Sequence, residues 1–314
     1  MASTGSDEAD LLSPCMDRLL SGYLHSPKAR SDIILPQFTH RLSLARAWQI
    51  PPDSRLLDIG CGQGESSLVL AEVVGPDGHV TGIDTGPHDY GSPFTIGEAQ
   101  SYIKNSMYGQ RIEFLQTDAA RLLSSGGQGE GQSPSIPTFD RAVLSHSLWY
   151  FEDFESISSL FRVLSNAGIR HVHVAEYSYE ASLPEQVPHV LASRAQALVH
   201  ASRPPRPMGT GEQNIRAAPH PAKVIEMALA EGYTLLMEDR ITPGPGLRDG
   251  HWESEYVQTD VFRDSVARKG LDAESTAEVL ALVEQVEQAC GQMKAQGCDL
   301  VRTMDVWCAT FELK

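Results

Sequence analysis

The chain has 314 residues, of which 41% are hydrophobic and 21% charged, with 19 Pro and 26 Gly spread along it. This composition is typical of a folded globular protein and excludes wholesale disorder and collagen-like repetition. Twenty-five Lys and Arg against 41 Asp and Glu give a formal net charge of −16, a sign that repels phosphate backbones and anionic headgroups. We therefore expect no nucleic-acid partner, because the densest basic run, Arg203 to Arg206, is short and interrupted by proline.

The five cysteines are odd in number, widely scattered and without paired short spacing, which predicts neither a disulfide framework nor a zinc site. Reduced thiols are typical of a cytoplasmic protein. No apolar stretch reaches the roughly 18 residues that would span a bilayer. Met1 to Leu12 is small, polar and acidic where a signal peptide would be basic and then apolar. We expect a cytoplasmic protein that does not enter a membrane.

A polar tail opens the chain, and helices follow as far as residue 48. One helical face is predicted by apolar residues that recur at steps of three and four, namely Leu35, Phe38, Leu42, Ala45 and Trp48. The pair Pro51 and Pro52 ends this helix.

Strands and helices then alternate, which predicts a mostly parallel sheet covered on both faces. The predicted strands are Arg55–Gly60, His79–Asp84, Ile112–Gln116, Arg141–Ser145 and His171–Glu176. The predicted helices between them are Ser66–Val74, Ile96–Met107 and Phe154–Leu164. Ser124 to Thr138, rich in Gly, Ser, Gln and Pro, is predicted to be a mobile loop.

The regular alternation breaks after Glu176. Residues 182–221 hold two weak helical patterns and a loop with Pro and Arg. A helix over Pro221–Gly232 and a strand over Thr234–Arg240 are predicted next. A long helical region, Trp252–Lys294 with a break near Gly270, leads to a last strand over Thr303–Leu313.

A glycine-rich turn lies between the first strand and the next helix, at Asp58 to Gly64. Glycines at this point of an α/β fold allow a ligand to lie against the main chain, where a Cβ would collide with it. The spacing Gly-x-Gly-x-Gly differs from the dinucleotide fingerprint. Asp84 ends the next strand, where a carboxylate can accept both ribose hydroxyls, and Asp118 follows the third strand, where it or Ala119 N–H could read an adenine edge.

These motifs together resemble those of the class I S-adenosylmethionine-dependent methyltransferases. The segments LLDIGCGQGESSLVLA, GIDTG, FLQTDAARL and FDRAVLSHSLWYF stand in the order of that family's motifs, between about Arg55 and Glu176. The resemblance implies a Rossmann-like α/β fold with a seven-stranded, mostly parallel sheet, an antiparallel last strand, N-terminal helices and helical cap insertions. It also implies S-adenosylmethionine as the cofactor.

The resemblance implies a role for each matching position. The glycine loop meets the methionine end and the sugar, the acid of the second strand holds the ribose, and the acid after the third strand meets the adenine. The cofactor-binding residues are then Asp58, Gly60, Cys61, Gly62, Gly64, Asp84, Thr85, Asp118, Ala119 and Ser145. The connection from Thr85 to Phe94 is longer than is usual in the family.

The implied organisation has six parts. They are an N-terminal helical lid (1–50), the cofactor-binding half of the core (51–177), a cap insertion (178–220), a core helix and strand (221–247), a helical insertion (248–298) and the final core strand (299–314). Tyr23, His25, Lys28 and Arg30 lie in the lid, where a cation could meet the methionine carboxylate, although a solvated surface segment explains them better. Inserted caps favour a closed pocket for a small molecule.

The candidate catalytic residues are His146 and Tyr150, because sites of parallel sheets open at the carboxyl ends of strands. A base is needed only if the acceptor starts protonated, and both residues could equally be packing residues. His173 and Glu176 on the fifth strand are further candidates. No aspartate stands at Ser145 to supply a metal ligand, so we expect no metal site.

The sequence thus predicts methyl transfer to N, O or C of a small molecule by in-line displacement. Two alternatives stay open: an enzyme of this fold that uses the bound cofactor for a cyclisation, and a non-catalytic regulatory relative. The second alternative is disfavoured because the acids at 58, 84 and 118 are all retained. A homodimer is compatible with the sequence and is left open.

Overall fold

The structure, a computed structural model, describes residues 14–124, 138–202 and 215–314. The predicted mobile loop and the basic run at Arg203 to Arg206 lie almost wholly outside these residues, as does the polar tail. In the described part of the chain, no helix is both long and apolar enough to cross a bilayer.

The predicted seven-stranded sheet is confirmed, with strand order β3-β2-β1-β4-β5-β7-β6. Strands β1 to β5 run parallel, and β7 is antiparallel to both of its neighbours. The strands are β1 (Arg55–Ile59), β2 (His79–Asp84), β3 (Ile112–Gln116), β4 (Arg141–Ser145), β5 (His171–Tyr177), β6 (Tyr233–Ile241) and β7 (Val306–Leu313).

Helices cover both faces of the sheet and form a separate layer beside it. They are α1 (residues 14–22), α2 (Leu35–Trp48, preceded by a π-helical turn at Arg30–Ile34), α3 (Glu65–Val74), α4 (Ile96–Lys104), α5 (Ala119–Ser124), α6 (Phe154–Asn166), α7 (Val187–Ala201), α8 (Pro221–Ala230), α9 (Asp249–Val257), α10 (Asp260–Arg268) and α11 (Ala273–Ala295).

Two apolar clusters flank the sheet. One joins α2 and α3 to a sheet face, and the other joins α6 and α8 to the opposite face. On α2 the predicted face is buried at Phe38, Leu42, Ala45 and Trp48, whereas Leu35, at the start of the helix, is exposed.

A third apolar cluster lies away from the sheet, among α7, α9, α10 and α11. Its buried members include Val199 of α7, Val257 of α9, Phe262 of α10 and Val283 of α11. The two stretches of sequence that interrupt the sheet domain therefore pack on each other and share one small apolar core. We call the four helices α7, α9, α10 and α11 the helical cap. This packing fixes α9 against α7 and α10.

Some predicted boundaries differ from the observed ones. The region predicted as one helix broken at Gly270 has a second break at Thr259, whose hydroxyl accepts a hydrogen bond from Phe262 N–H and so begins α10. The last strand starts at Val306 and not at Thr303, because the Thr303 hydroxyl donates to Leu247 O and the Asp305 side chain bonds Gln186. Both differences follow from side-chain hydrogen bonds that the apolar pattern does not show.

Candidate functional site

The glycine loop between β1 and α3 has left-handed backbone at each of its three glycines. The φ angles are +74° at Gly60, +52° at Gly62 and +95° at Gly64, values that side chains other than glycine rarely adopt. A Cβ at Gly60 would lie 2.6 Å from Ser147 Cβ, and one at Gly64 would lie 2.8 Å from Phe114. These two glycines are therefore required by close packing as well as by backbone geometry.

Gly62 differs, because a Cβ there would meet nothing within 4 Å. Its N–H donates to Oδ2 of Asp84 over 2.9 Å, and the other oxygen of Asp84 accepts the Gly86 N–H at 2.7 Å. The half-buried Asp84 carboxylate thus ties the ends of β1 and β2 together beside an open space. The loop forms a cradle that an added methyl group would enter.

Asp58 lies beneath the loop and is buried, with Oδ2 accepting the Ser67 hydroxyl at 2.6 Å. Burial raises the pKa of this carboxyl to about 7, against the lowering effect of the Ser67 hydrogen bond. Asp58 is not among the residues that line the neighbouring cavity. Any effect of Asp58 on a ligand would therefore pass through the loop that it supports.

The remaining predicted positions lie along the carboxyl ends of β2 and β3. Thr85 and Asp118 are exposed, and Ala119 is buried at the start of α5. Asp118 Oδ1 accepts the Arg121 N–H at 2.8 Å, which caps that helix. These residues share the sheet edge with the glycine loop but are outside the cavity wall.

A cavity of about 170 Å³ opens between the glycine loop and the end of β4. Six residues predicted from the sequence line it: Gly60, Cys61, Gly62, Ser145, His146 and Tyr150. The structure adds seven that the sequence reasoning did not place there: His40, Arg41, Glu65, Ser66, Tyr177, Leu247 and Asp249.

Two histidines from distant parts of the chain meet on this wall. Nε2 of His40, on α2, lies 2.9 Å from Nε2 of His146, which follows β4. Nδ1 of His146 lies 3.6 Å from Oε1 of the buried Glu176 at the end of β5. Burial lowers the pKa of His40 well below its usual range, and the neighbouring His146 lowers it further. His40 is consequently neutral at neutral pH.

The backbone conformation of His146 directs its side chain toward His40. Its φ is +54°, a value that is uncommon for a residue with a Cβ, and its N–H donates to Ala175 O over 2.8 Å. Its ring also lies against Tyr177, with the ring centroids 4.7 Å apart. The turn after β4 is held by the last residues of β5, so that the ring faces α2.

The N-terminal residues singled out from the sequence take other positions. Tyr23 donates a hydrogen bond to Glu65, His25 bonds the Tyr23 carbonyl, and Arg30 bonds Asp17. Among the described residues Arg41 is the one lysine or arginine on the cavity wall, where its Nε donates to the Ser66 hydroxyl over 3.3 Å. It lies one residue after His40, and no motif in the sequence marks either of them.

His173, a candidate from β5, lies away from the cavity. It is fully buried, and its ring nitrogens bond Thr310 on β7 and Arg141 at the start of β4. It belongs to the core at the opposite end of its strand from Glu176. Within the described ranges, no group of three or more His, Cys, Asp or Glu side chains has the arrangement of a metal site.

Comparison with known proteins identifies the chain. A family profile described as a methyltransferase domain matches residues 50–217. The chain is 34% identical over 347 positions to methyltransferase phomM of Diaporthe leptostromiformis, an alignment that covers 95% of this chain and 89% of that protein. The chain belongs to the methyltransferase family. The predicted membership of the class I S-adenosylmethionine-dependent methyltransferases is confirmed.

Two further proteins are similar to this methyltransferase, one over nearly the whole chain and one over less than half of it. A solved structure of a cyclopropane-fatty-acyl-phospholipid synthase-like protein from Lactobacillus casei has a TM-score of 0.75 and 28% identity, and the match covers 96% of this chain and 100% of that one. Arsenite methyltransferase of Mus musculus is 24% identical over 139 residues, which cover 42% of this chain and 33% of that protein. The similarity to the first of these extends through the helical cap.

The cofactor of the methyltransferase is S-adenosylmethionine, and the site fits it. The open space at Gly62 admits a ligand against the main chain. Arg41 offers a guanidinium for a carboxylate, and Glu65 offers a carboxylate for an ammonium group, on the same wall. The wall therefore carries charged groups of both signs, which the amino acid end of the ligand would need.

Proposed function

We propose that this methyltransferase acts on a small molecule held in the cavity between the glycine loop and the helical cap. The observation that carries the proposal is that one cavity joins Gly60 and Gly62 to His146 and to Asp249. Asp249 begins α9, which is fixed by the core of the helical cap. A site covered by α9 in this way suits a small acceptor better than an extended polymer.

We assign the cofactor as follows. The main chain at Gly60, Cys61 and Gly62 would hold the methionine and ribose of the cofactor, and the Asp84 carboxylate would accept hydrogen bonds from the ribose hydroxyls. Asp118 and Ala119 would bind the adenine, and Thr85 and Ser145 would border the bound cofactor. Bound S-adenosylmethionine supplies a methyl group on a sulfonium centre, which is electrophilic without acid catalysis. What the chain must add is alignment, exclusion of water and, for a protonated acceptor, a base.

The two facing histidines can supply that base. The carboxylate of Glu176 favours the tautomer with a proton on Nδ1 of His146, so that Nε2 of His146 accepts from His40. Nδ1 of His40 then keeps a lone pair and has no hydrogen-bond partner among the described residues. That atom is buried, so an acceptor has to displace the His40 ring before its proton can reach the pair, where Glu176 stabilises the charge. Tyr150 lies on the same wall and would help to position the acceptor.

The acceptor atom, N, O or C, is open in this proposal. A cyclisation is the alternative, and the Lactobacillus casei protein is named for a lipid-modifying synthase. For this chain the cavity wall argues against a long acyl acceptor, because Leu247 is its one aliphatic residue larger than alanine among the described ones. A non-catalytic role is disfavoured because it does not explain the contacts of His146 with His40 and Glu176.

We also propose a cytoplasmic location and no nucleic-acid partner. All five cysteines are free, as expected for a reducing compartment, and the net charge is −16. We further propose that the protein forms a homodimer. Analytical ultracentrifugation tests this by measuring the oligomeric state.

Calorimetry with S-adenosylhomocysteine tests the proposed site first, with binding in the micromolar range expected, which corresponds to about −8 kcal/mol. A small-molecule extract incubated with a labelled methyl donor then tests the acceptor class, with label expected in small products. Folded protein that binds no S-adenosylhomocysteine would refute the proposal. Label found solely in macromolecules would refute the small-molecule acceptor.

A further inference from the structure

Tyr23, the residue that follows α1, joins three elements beside the glycine loop. It is 3% exposed, and its ring packs edge-on against Phe38 of α2 with the ring centroids 5.4 Å apart. Its hydroxyl lies 2.6 Å from Oε1 of Glu65, the first residue of α3, and 3.1 Å from Oε1 of Gln63 in the loop. The shorter contact is to the charged acceptor, so the phenol donates its proton to Glu65. A buried side chain from the N-terminal part of the chain thus holds a carboxylate at the end of the loop.

This contact leaves one oxygen of Glu65 without a partner. Glu65 is half-buried and lines the cavity. Among the described residues, the Tyr23 hydroxyl is the one hydrogen-bond donor to its side chain, and Oε2 accepts none. Burial raises the pKa of Tyr23 well above its usual range, and the charge of Glu65 raises it further, so the phenol stays a donor. The Glu65 carboxylate is therefore fixed by one oxygen and available to a ligand at the other.

Arg41 provides a positive charge on the same wall. It lies on α2 one helical turn after Phe38, and its Nε donates to the Ser66 hydroxyl. Arg41 and Glu65 form no ion pair with each other, although both line one cavity. An amino acid carries an ammonium group and a carboxylate on one carbon, so it would find a partner for each group here. Tyr23 contacts both α2 and Glu65 and so sets the position of the carboxylate relative to the helix of Arg41.

We propose that Glu65 binds the ammonium group of the cofactor's methionine end and that Tyr23 is the positioning residue that holds Glu65 for this contact. This inference rests on the proposed function. Without the Tyr23 hydroxyl, the Glu65 side chain would gain rotational freedom, and binding of the ammonium group would then have to fix it. The N-terminal segment would therefore contribute to the affinity for the amino acid end without touching the cofactor.

A second buried tyrosine makes the same kind of contact farther along α3. The Tyr108 hydroxyl donates to Oε2 of Glu72 over 2.6 Å, and Glu72 also pairs with Arg18. Neither Tyr108 nor Glu72 is on the cavity wall. Tyr108→Phe is therefore the matched control, because it removes an equivalent hydrogen bond from the same helix away from the ligand.

The test compares S-adenosylhomocysteine with 5′-methylthioadenosine, which has a methyl group in place of the amino acid end. Calorimetry on the full chain measures the Kd of each ligand, and thermal unfolding shows that each variant is folded. Tyr23→Phe should weaken S-adenosylhomocysteine binding about tenfold, the scale of a hydrogen bond to a charged group. Its affinity for 5′-methylthioadenosine should stay as in wild type. Tyr108→Phe should keep both wild-type affinities.

Glu65→Gln provides a second measurement, because it removes the charge and keeps the shape of the side chain. It should also weaken the binding of S-adenosylhomocysteine alone. Adding Tyr23→Phe to Glu65→Gln should then cost little more, because two residues that act through one contact are not additive. Losses that add fully would overturn the positioning role, since Tyr23 would then act independently of Glu65.

The remaining outcomes separate this inference from the proposed function. Unchanged S-adenosylhomocysteine affinity in Tyr23→Phe, or an equal loss for both ligands, would overturn the inference alone. An equal loss in Tyr108→Phe would also overturn it, because a general loosening of α3 would then be the cause. If Tyr23→Phe does not fold, unchanged affinity in Glu65→Gln overturns the inference, and a loss confined to S-adenosylhomocysteine supports it. Folded wild-type protein that binds neither ligand would overturn the proposed function as well.

Discussion

His40 and His146 face each other with their Nε2 atoms 2.9 Å apart, although 106 residues separate them in the chain. At this distance one nitrogen must donate and the other must accept, because two N–H groups or two lone pairs would repel. The two rings therefore share one proton and act as a single unit. The base that we propose for the site belongs to this pair, and Glu176 lies 3.6 Å from Nδ1 of His146.

Substitution of either histidine should reduce turnover much more than cofactor binding. His146→Gln and His40→Gln should each lower turnover by about 10²–10⁴ if the pair removes a proton, with S-adenosylhomocysteine affinity nearly unchanged. Because the pKa of His40 is lowered, wild-type turnover should persist below about pH 6.5, the ordinary pKa of histidine. A pH–rate profile for each protein checks this. A uniform drop with the acidic limb retained would indicate positioning alone.

Gly62→Ala should weaken cofactor binding strongly and reduce the stability of the fold only slightly. The added Cβ meets open space in the protein, so the loss of stability should be the strain of positive φ, about 1 kcal/mol, while the methyl group enters the proposed cofactor cradle. Binding of S-adenosylhomocysteine should fall at least about tenfold by calorimetry. Gly168→Ala is the control, since its φ is +71° and its Cβ also meets nothing within 4 Å. Similar binding by the two variants would contradict the cradle.

Asp84→Asn should weaken cofactor binding with little effect on the fold. The substitution leaves an oxygen to accept one of the two backbone N–H groups of Gly62 and Gly86 and removes the charge proposed to face the ribose. A loss of about 1.5–3 kcal/mol in S-adenosylhomocysteine binding is expected. Thermal unfolding of the unliganded variant checks that the loop is intact. Unchanged affinity in a folded variant would remove Asp84 from the site.

The sequence predicted the part of the site that is local in the chain. Gly60, Gly62 and Asp84 lie at strand ends within one βαβ unit, so a motif and the topology of a parallel sheet place them together. His40, Arg41 and Asp249 come from helices whose apolar pattern shows which face is buried but not which loop the helix crosses. Their meeting depends on the packing of α2 and of the helical cap, which one sequence does not specify.

Asp58→Asn should change how stability depends on pH. The folded protein holds the Asp58 proton up to about pH 7, whereas the unfolded chain loses it near pH 4, so stability falls as pH rises between those values. Asparagine removes this loss and can still accept the Ser67 hydroxyl. Urea unfolding at pH 5 and pH 8 should show a gain for the variant over wild type at the higher pH. A constant difference at both pH values would contradict the raised pKa.

Two buried histidines should make the protein labile in acid. Burial lowers the pKa of both His173 and His189 to about 3, so the folded protein keeps them neutral while the unfolded chain takes up protons below about pH 6.5. Stability that is present above that pH is therefore lost as the pH falls toward 3, by about 1.4 kcal/mol per pH unit for each histidine. His189→Gln should make the slope between pH 6 and 4.5 shallower by one proton in urea unfolding. The same substitution at the exposed His88 should leave the slope as in wild type. If His189→Gln and wild type lose stability with the same slope, His189 is not a neutral buried group in the folded protein.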